Sequence, residues 1–183
     1  MTDGKITVEE FRELMRKGTA IEMGSDLLEA LDRFSQEAIK ITMEINTKYN
    51  TPERIRELFS QLTASKIGEN FRMFPPFYTE CGKNLKIGNN VFINANCRFQ
   101  DNGGIDIGED TMIGQNVTIV TLNHDINPKT RKNTTPQPVK IGKNVWIGRY
   151  CQMLCFIPYN LLSSDSSSFN PIYKHPSNIY DLC

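Results

Sequence analysis

The sequence predicts a mainly β protein, a parallel β-helix preceded by a small helical unit. Apolar residues recur every six positions from Ile87 to Met153, and glycine follows five of these nine residues. Neither an α-helix nor a flat strand repeats every six residues, whereas a β-helix forms one short strand and one turn in that length. The first 65 residues lack this repeat and carry apolar residues at helical spacing instead.

Each of three predicted helices opens on a capping residue. Thr7 begins a capping-box pattern, Ser25 or Asp26 opens the second helix, and Thr51 precedes a proline at the first helical position of the third. The first helix should stop at Gly18. We interpret the apolar stripes of these helices as core rather than as a cofactor site. The stripes comprise Phe11, Leu14 and Met15; Leu27, Leu28, Leu31, Phe34, Ala38, Ile41 and Ile45; and Ile55, Leu58, Phe59 and Leu62.

The six-residue repeat divides into three coils of three units each. Eight of the nine repeating residues are Ile or Phe, which we expect to point into a narrow interior and to pack on neighbouring coils. The register slips by two residues near 101–104, and 16 residues, Asp125 to Lys140, form a predicted extruded loop between the second and third coils. Glycine should permit the tight turns. The repeating residues are Ile87, Ile93 and Phe99; Ile107, Ile113 and Ile119; and Ile141, Ile147 and Met153.

The repeat fails after Gly148. The remaining 35 residues contain three of the five cysteines, a serine-rich run at 163–168 and no glycine. We therefore divide the chain into a helical unit (1–65), a β-helix (66–158) and an atypical, disordered tail (159–183). A frameshift or truncation near codon 149 is our hypothesis, which resequencing the gene would test. The alternative is a divergent C-terminal cap.

Composition narrows the range of partners. Lys and Arg together number 21, as do Asp and Glu, so no basic excess predicts binding to nucleic acid or to an acidic membrane surface. No apolar stretch approaches the roughly 20 residues that span a bilayer. The N-terminus lacks the pattern of a signal peptide, and the scattered cysteines fit reduced thiols better than a zinc site. We expect a cytoplasmic protein that binds no metal.

Several segments together resemble the hexapeptide-repeat acyltransferases, and among them the maltose/galactoside O-acetyltransferase group. These segments are PPFYTECGKN, NVFINANCRFQDNGGIDIGED, TLNHDINP and PVKIGKNVWIG, and the resemblance covers roughly residues 9–149. It implies a left-handed parallel β-helix that assembles into a homotrimer with active sites between subunits. It also implies transfer of acetyl from acetyl-CoA to a hydroxyl of a sugar or similar small acceptor, without a metal.

The resemblance assigns roles to individual residues. The catalytic histidine of the family falls on His124. Acceptor-binding positions fall on Asn94, Asp101, Asn102 and Tyr78, and Asn102 stands where some relatives have a second acid. Positions near acetyl-CoA fall on Gly114, Trp146 and Arg149. Alternative interpretations remain open: Asn94 and Asp101 could stabilise turns, and Trp146 could be an outward-facing aromatic at a subunit contact.

The proposed chemistry suits a histidine. A sugar hydroxyl is a poor nucleophile at neutral pH, so its proton must leave as it attacks the thioester, and a neutral imidazole is suited to accept it. A backbone N–H is a plausible donor to the tetrahedral oxyanion. Direct transfer needs no serine or cysteine nucleophile. Two alternatives share the scaffold: a catalytically inactive structural or truncated protein, and an O-acetyltransferase for xenobiotics such as antibiotics.

Overall fold

The computed structural model describes residues 5–125 and 127–154. Three helices come first: α1 (Val8–Arg16), α2 (Asp26–Thr47) and α3 (Pro52–Thr63). Their N-caps are Thr7, Ser25 and Thr51, as the sequence predicts, and Thr7 forms the complete capping box. The strands that follow are β1 (Arg72–Met73), β2 (Phe77–Thr79), β3 (Leu85–Ile87), β4 (Phe92–Ile93), β5 (Cys97–Gln100), β6 (Ile105–Ile107), β7 (Met112–Ile113), β8 (Thr118–Val120), β9 (Leu122–His124), β10 (Thr134–Pro136), β11 (Val139–Ile141), β12 (Trp146–Ile147) and β13 (Gln152–Leu154).

Three parallel sheets form the sides of a triangular prism. Their strand orders are β1-β4-β7-β12, β2-β5-β8-β13 and β3-β6-β11, so successive strands visit the three sides in turn. The predicted fold class, a left-handed parallel β-helix behind a helical unit, is confirmed. The register is also confirmed. The stacked rows are Ile87, Ile107 and Ile141; Ile93, Ile113 and Ile147; and Phe99, Ile119 and Met153.

The residues from Arg72 to Thr79 form a further, partial coil below the three predicted ones. Met73 pairs with Ile93, and Thr79 pairs with Phe99, both in parallel register. Phe77 is fully buried in this layer. Only three coils are predicted from the sequence because Thr79 is polar and residues 71–78 are rich in aromatic residues and proline, but the six-residue spacing of Met73 and Thr79 continues the repeat.

Two corners of the prism are regular and the third is not. We call residues 88–91, 108–111 and 142–145, together with 94–96, 114–116 and 148–150, the regular corners. Each turn there has one non-glycine residue with a left-handed backbone, which Asn and Asp tolerate better than other side chains. These residues are Asn90, Asp110, Asn144, Asn96, Asn116 and Tyr150, with φ between 54° and 62°.

The glycines of the repeat serve the stacking of coils. A Cβ at Gly108 would lie 2.4 Å from the Gly142 carbonyl oxygen, and one at Gly114 would lie 2.7 Å from the Arg149 nitrogen. Neither glycine has a positive φ. The tight turn predicted at glycine is therefore made two residues later, and the glycine itself leaves room for the backbone of the next coil.

The helical unit packs on the base and one edge of the β-helix. The Phe59 ring on α3 lies 4.7 Å from the Phe71 ring and 5.1 Å from the Phe77 ring, so α3 closes the base of the prism. Arg16 on α1 forms an ion pair of 2.8 Å with Asp106 on β6. Buried residues of α3 and of the second half of α2 thus belong to one apolar cluster with the prism. A second cluster joins α1 and the first half of α2 to Ile21 and Cys81.

The third corner, which we call the insertion corner, comprises residues 80–84, 101–104 and 121–138. Its last segment is an extruded hairpin in which β9 pairs antiparallel with β10. Ile21, between α1 and α2, bridges to Thr134 and ties the hairpin to the helical unit. The coil resumes at Val139, so the last two residues of the predicted loop belong to a strand.

The predicted disordered tail (159–183) and the cysteines Cys155 and Cys183 lie outside the described residues. Within the described ranges, no helix is both long enough and apolar enough to cross a membrane.

Candidate active site

A cavity of about 470 Å³ lies between α2 and the insertion corner. His124, the last residue of β9, is exposed and lines this cavity. The opposite side is formed by α2, with the half-buried Leu28 and Leu31 and the exposed Ile39. The cavity therefore has a polar wall from the β-helix and an apolar wall from the helical unit.

The hydrogen bond of His124 fixes which ring nitrogen bears the proton. Its Nδ1 lies 2.8 Å from the backbone carbonyl oxygen of Arg131. A carbonyl only accepts hydrogen bonds, so Nδ1 donates, and Nε2 of the neutral ring keeps its lone pair. This tautomer is the one that a general base requires.

The loop that supplies the Arg131 carbonyl is braced by Asp125. One carboxylate oxygen of Asp125 accepts from the Asn127 backbone N–H at 3.0 Å, and the other accepts from the Thr130 hydroxyl at 2.5 Å. The Asn133 backbone N–H donates to the Thr130 carbonyl at 2.8 Å. These bonds hold residues 127–133 close to β9 and place the Arg131 carbonyl beside the imidazole.

The polar wall contains a carboxylate that two amides hold in place. Glu80 accepts from the Gln100 side chain at 3.1 Å and from the Asn102 side chain at 2.6 Å. The Gln100 amide oxygen in turn accepts from the Leu122 backbone N–H at 3.2 Å. Leu122 begins β9, so this network contacts the strand that ends at His124.

Asp101 lies behind this wall and not in it. Its side chain is fully buried, and Oδ1 accepts from the Thr79 hydroxyl at 2.6 Å and the Cys81 backbone N–H at 2.9 Å. Burial raises the pKa of the Asp101 carboxyl, although the hydrogen bonds from Thr79 and the backbone oppose this shift. Asp101 therefore does not line the cavity itself, but it accepts a hydrogen bond from Thr79, which does.

A second group of predicted site residues lies at a regular corner of the prism. The Asn94 N–H donates to the Ile113 carbonyl, and the Gly114 N–H donates to the Ile147 carbonyl, both at 2.9 Å, so these residues stack in successive coils. In the next coil, Arg149 is exposed at this corner, and Trp146, which is 76% exposed, lies on β12 just before it.

Tyr78 lies neither in the cavity nor at this corner. It is 44% exposed on β2, and the Arg98 guanidinium lies 5.5 Å from the centre of its ring. The structure thus brings His124 and Asn102 into one cavity, with Asp101 behind them. It leaves Asn94, Gly114 and Arg149 at another corner of the prism, with Trp146 on the strand beside it.

Three features of the cavity were not predicted from the sequence: Glu80, the bracing by Asp125, and the α2 wall. One signal was available for the wall, since the apolar positions on α2 are too many for a single buried stripe. Phe34 and Ala38 are buried, whereas Leu28 and Leu31 in the adjacent row are only half-buried. Glu80 gave no such signal because its partners are 20 and 22 residues away.

The described cysteines are poorly suited to act as nucleophiles. Burial raises the pKa of Cys81, Cys97 and Cys151, which keeps each thiol protonated at neutral pH. All three are free of disulfides. Among the residues that the structure describes, no group of His, Cys, Asp and Glu side chains could hold a metal ion.

Comparison with known proteins identifies several acetyltransferases that are similar to this chain. A galactoside O-acetyltransferase of Lactococcus lactis is 38% identical over 117 residues, which are 62% of this chain and 56% of that protein. A putative acetyltransferase of Dictyostelium discoideum is 31% identical over 139 residues, 75% of this chain and 70% of that protein. No protein-family model matches the chain.

A solved structure shares the fold. The hexapeptide-repeat acetyltransferase of Vibrio cholerae in complex with acetyl-CoA is 26% identical to this chain, with a TM-score of 0.58, and the match covers 80% of each chain. The chain spans only a little over half the length of the Lactococcus relative.

Proposed function

We propose that this chain, which belongs to the hexapeptide-repeat acetyltransferases, transfers acetyl from acetyl-CoA to a hydroxyl of a sugar or similar small acceptor, with His124 as the general base. One observation carries the proposal: an exposed imidazole in a cavity, with Nδ1 donating to a backbone carbonyl and Nε2 left as a base. The relatives described above, an O-acetyltransferase and an acetyl-CoA complex, support the choice of reaction.

The reaction is a direct transfer. Nε2 of His124 takes the proton of the acceptor hydroxyl as the oxygen attacks the thioester carbonyl carbon. The tetrahedral intermediate then collapses, the C–S bond breaks, and the departing CoA sulfur receives the proton from the imidazolium. The hydrogen bond to the Arg131 carbonyl stabilises the imidazolium between the two proton transfers.

The acceptor occupies the cavity between α2 and the insertion corner in this proposal. Asn102 lies in the polar wall, and Asp101 acts indirectly by holding Thr79 and the backbone of Cys81. Tyr78 is the weakest candidate of the predicted acceptor residues, since its ring faces Arg98 on an outer side of the prism.

Acetyl-CoA binds at the regular corner that carries Gly114 and Arg149, with Trp146 on the strand beside it. Because this corner and the cavity lie on different edges of one prism, a complete site requires a second copy of the chain. This separation supports a homotrimer in which one protomer supplies His124 and its neighbour supplies Asn94. Sedimentation of the purified chain should give three times the monomer mass of 20.9 kDa.

A cytoplasmic location completes the proposal. Cys81, Cys97 and Cys151 are free thiols, which is the usual state in a reducing compartment. Acetyl-CoA is itself an intracellular metabolite.

The test is release of free CoA from acetyl-CoA in the presence of small sugars. The wild-type chain should turn over, and His124→Ala should lower kcat by about a hundredfold to ten-thousandfold. The only other histidine, His175, offers a matched control, and His175→Ala should leave the rate unchanged. An alanine variant at 124 that is as active as wild type would refute the assigned base. A wild-type chain that binds no acetyl-CoA would instead favour a non-catalytic β-helix protein.

A further inference from the structure

We propose that Asp125 is a positioning residue for His124, which holds the loop that carries the Arg131 carbonyl and contacts no reacting atom itself. This inference rests on the proposed function, because it concerns the side chain assigned as the general base. Asp125 follows His124 directly in the chain, but it is not among the site residues assigned from the sequence.

Little packing restrains the loop that follows His124. The antiparallel pairing of β9 and β10 ends with His124 opposite Thr134, and one further bond joins the Asp125 N–H to the Asn133 carbonyl at 3.1 Å. Residues 127–132, beyond this bond, are exposed. An exposed loop that buries little surface depends on its hydrogen bonds for a single conformation. The conformation of this loop is therefore set by polar contacts.

The carboxylate of Asp125 holds the loop at two points. Oδ1 accepts from the Asn127 backbone N–H at 3.0 Å, and Oδ2 accepts from the Thr130 hydroxyl at 2.5 Å. Thr130 is also held to Asn127, since its backbone N–H donates to the Asn127 carbonyl at 3.0 Å. Hydrogen bonds to a carboxylate are stronger than those between neutral groups, so Asp125 is well suited to fix this turn.

These contacts form a closed ring that includes the base. Asp125 is joined to His124 by a peptide bond, and Thr130 is joined in the same way to Arg131. The hydrogen bond between Asp125 and Thr130 closes one side of the ring. The hydrogen bond between His124 Nδ1 and the Arg131 carbonyl, at 2.8 Å, closes the other side. Loss of the Asp125–Thr130 bond therefore loosens the bond to His124, although the two bonds share no atom.

The bond between Nδ1 and the Arg131 carbonyl decides whether His124 can act as a base. While the carbonyl accepts from Nδ1–H, the lone pair of the neutral ring lies on Nε2, and the imidazolium keeps a partner for Nδ1–H. Without that carbonyl, the neutral ring exchanges between its two tautomers and adopts other rotamers. Fewer molecules then present a basic Nε2 to the acceptor hydroxyl, which lowers kcat more than it changes KM.

Three variants separate the hydrogen bonds of Asp125 from its charge. Asp125→Ala removes both carboxylate bonds and should lower kcat for CoA release about tenfold, the effect of one hydrogen bond of ordinary strength, while KM for the acceptor changes by less than about twofold. Asp125→Asn keeps an oxygen for the Asn127 N–H and an amide that can donate to the Thr130 hydroxyl, so it should restore most of the rate. Thr130→Val should also lower kcat, and adding it to Asp125→Ala should cause little further loss.

The tautomer of His124 is measured without turnover. The ¹⁵N chemical shifts of an imidazole report which nitrogen bears the proton, and His175→Ala removes the signals of the only other histidine. In the His175→Ala chain, the neutral ring of His124 should be protonated at Nδ1. Adding Asp125→Ala should move part of the population to the Nε2–H tautomer, whereas adding Asp125→Asn should not.

Glu109→Ala is the matched control. Glu109 is an exposed carboxylate on the same β-helix, paired with Lys143 at a regular corner and outside the cavity. Its removal should change neither the rate of CoA release nor the tautomer of His124. A general effect of losing one surface carboxylate would appear in this variant as well.

Three results would overturn the inference: a kcat for Asp125→Ala within about twofold of wild type, equal losses in Asp125→Ala and Asp125→Asn, or an unchanged tautomer of His124 in Asp125→Ala. Equal losses would mean that the charge of Asp125 matters and its hold on the loop does not. Failure of the proposed function is recognised separately. A wild-type chain that releases no CoA would refute the reaction, and the tautomer would then decide alone whether Asp125 orients His124.

Discussion

The insertion corner and the regular corners belong to the same coils but differ in what they bury. The regular corners turn in a fixed number of residues and place Asn or Asp at most left-handed positions. The insertion corner varies in length from coil to coil. Of the eight buried polar residues in the described chain, five lie at the insertion corner: Lys83, Asn84, Asp101, Asn102 and Thr121.

This difference shows how one scaffold separates stability from chemistry. A regular corner repeats a backbone arrangement whose hydrogen bonds pass directly to the next coil. The insertion corner breaks that repeat, so its backbone groups need side-chain partners such as Thr121 and Asp101. The same irregularity opens the cavity and projects His124 from the prism.

The regular corners should be most sensitive to added volume. Gly108→Ala places a Cβ 2.4 Å from the Gly142 carbonyl oxygen, and a backbone atom between stacked strands cannot move aside. We expect a loss of about 3 kcal/mol in the free energy of unfolding. Gly142→Ala is the control, because the added Cβ would meet only the Val145 side chain, at 3.8 Å. The free energy of unfolding of this variant should fall by less than about 0.5 kcal/mol. Equal urea midpoints for the two variants would contradict the stacking role of Gly108.

Two buried threonines, one at each kind of corner, allow the corners to be compared directly by mutation. Thr121 accepts from the Gly103 N–H at 2.8 Å at the insertion corner, and Thr111 donates to the Gly142 carbonyl at 3.0 Å at a regular corner. Both side chains are fully buried. Replacing either with Val removes hydrogen bonds at constant shape, so each variant should lose about 2 kcal/mol of stability.

Activity should distinguish the two variants. Thr121 immediately precedes β9 and also donates to the Gln100 carbonyl, so Thr121→Val disturbs the strand that carries His124. We expect kcat/KM for acetyl transfer to fall about tenfold in Thr121→Val, equivalent to about 1.4 kcal/mol, and to remain unchanged in Thr111→Val. A similar activity loss in both variants would show that the corners are not functionally separate.

Asp101 makes the insertion corner dependent on pH. Burial raises the pKa of its carboxyl in the folded chain, so the folded state binds the proton more tightly than the unfolded state does. The contribution of this group to stability is therefore greatest in acid and declines as the pH rises through the folded-state pKa.

Asp101→Asn should remove this decline. The variant keeps the oxygen that accepts from Thr79 and Cys81 but cannot ionise. Denaturation of both proteins across the acidic range should show that the difference in unfolding free energy, variant minus wild type, rises with pH. A difference that stays constant would mean that Asp101 has the same pKa in both states.

The fold followed from the sequence because its determinants are local. The register residues of each coil are six apart, and the caps of the helices lie within three residues of the groups they satisfy. The partial first coil was not predicted because Thr79 places a polar residue at a register position. Pairing with the coil above, which sequence periodicity does not encode, places Met73 and Thr79 in the prism.

The site was only partly predictable because it is assembled by tertiary contacts. His124 and Asn102 were proposed from the resemblance, and the cavity contains both. The amide clamp on Glu80 joins residues 20 and 22 positions apart, and Leu31 on α2 faces the cavity from a different part of the chain. Neither the hydrogen bonds of Glu80 nor the position of Leu31 produces a periodic pattern or a motif that can be recognised in a single sequence.

A substitution at Tyr150 tests where the regular corners end, and its expected effect on stability is small. It has φ of 61°, where the equivalent residues one and two coils below are Asn116 and Asn96. The Asn96 amide donates to the Asn116 side-chain oxygen, so the lower coils carry an asparagine ladder that stops at Tyr150. A left-handed backbone is unfavourable for a bulky side chain, and the Tyr150 ring is 69% exposed and gains little from packing.

Tyr150→Asn should therefore stabilise the chain by about 1 kcal/mol, seen as a higher urea midpoint at an unchanged slope. The reciprocal variant Asn116→Tyr places the same strain inside the stack and also removes the ladder bond, so it should lose more than Tyr150→Asn gains. If Tyr150→Asn is neutral or destabilising, then the Tyr150 ring makes favourable contacts at this turn. The loss of asparagine at position 150 would in that case be an adaptation of the last coil and not the point at which the repeat begins to fail.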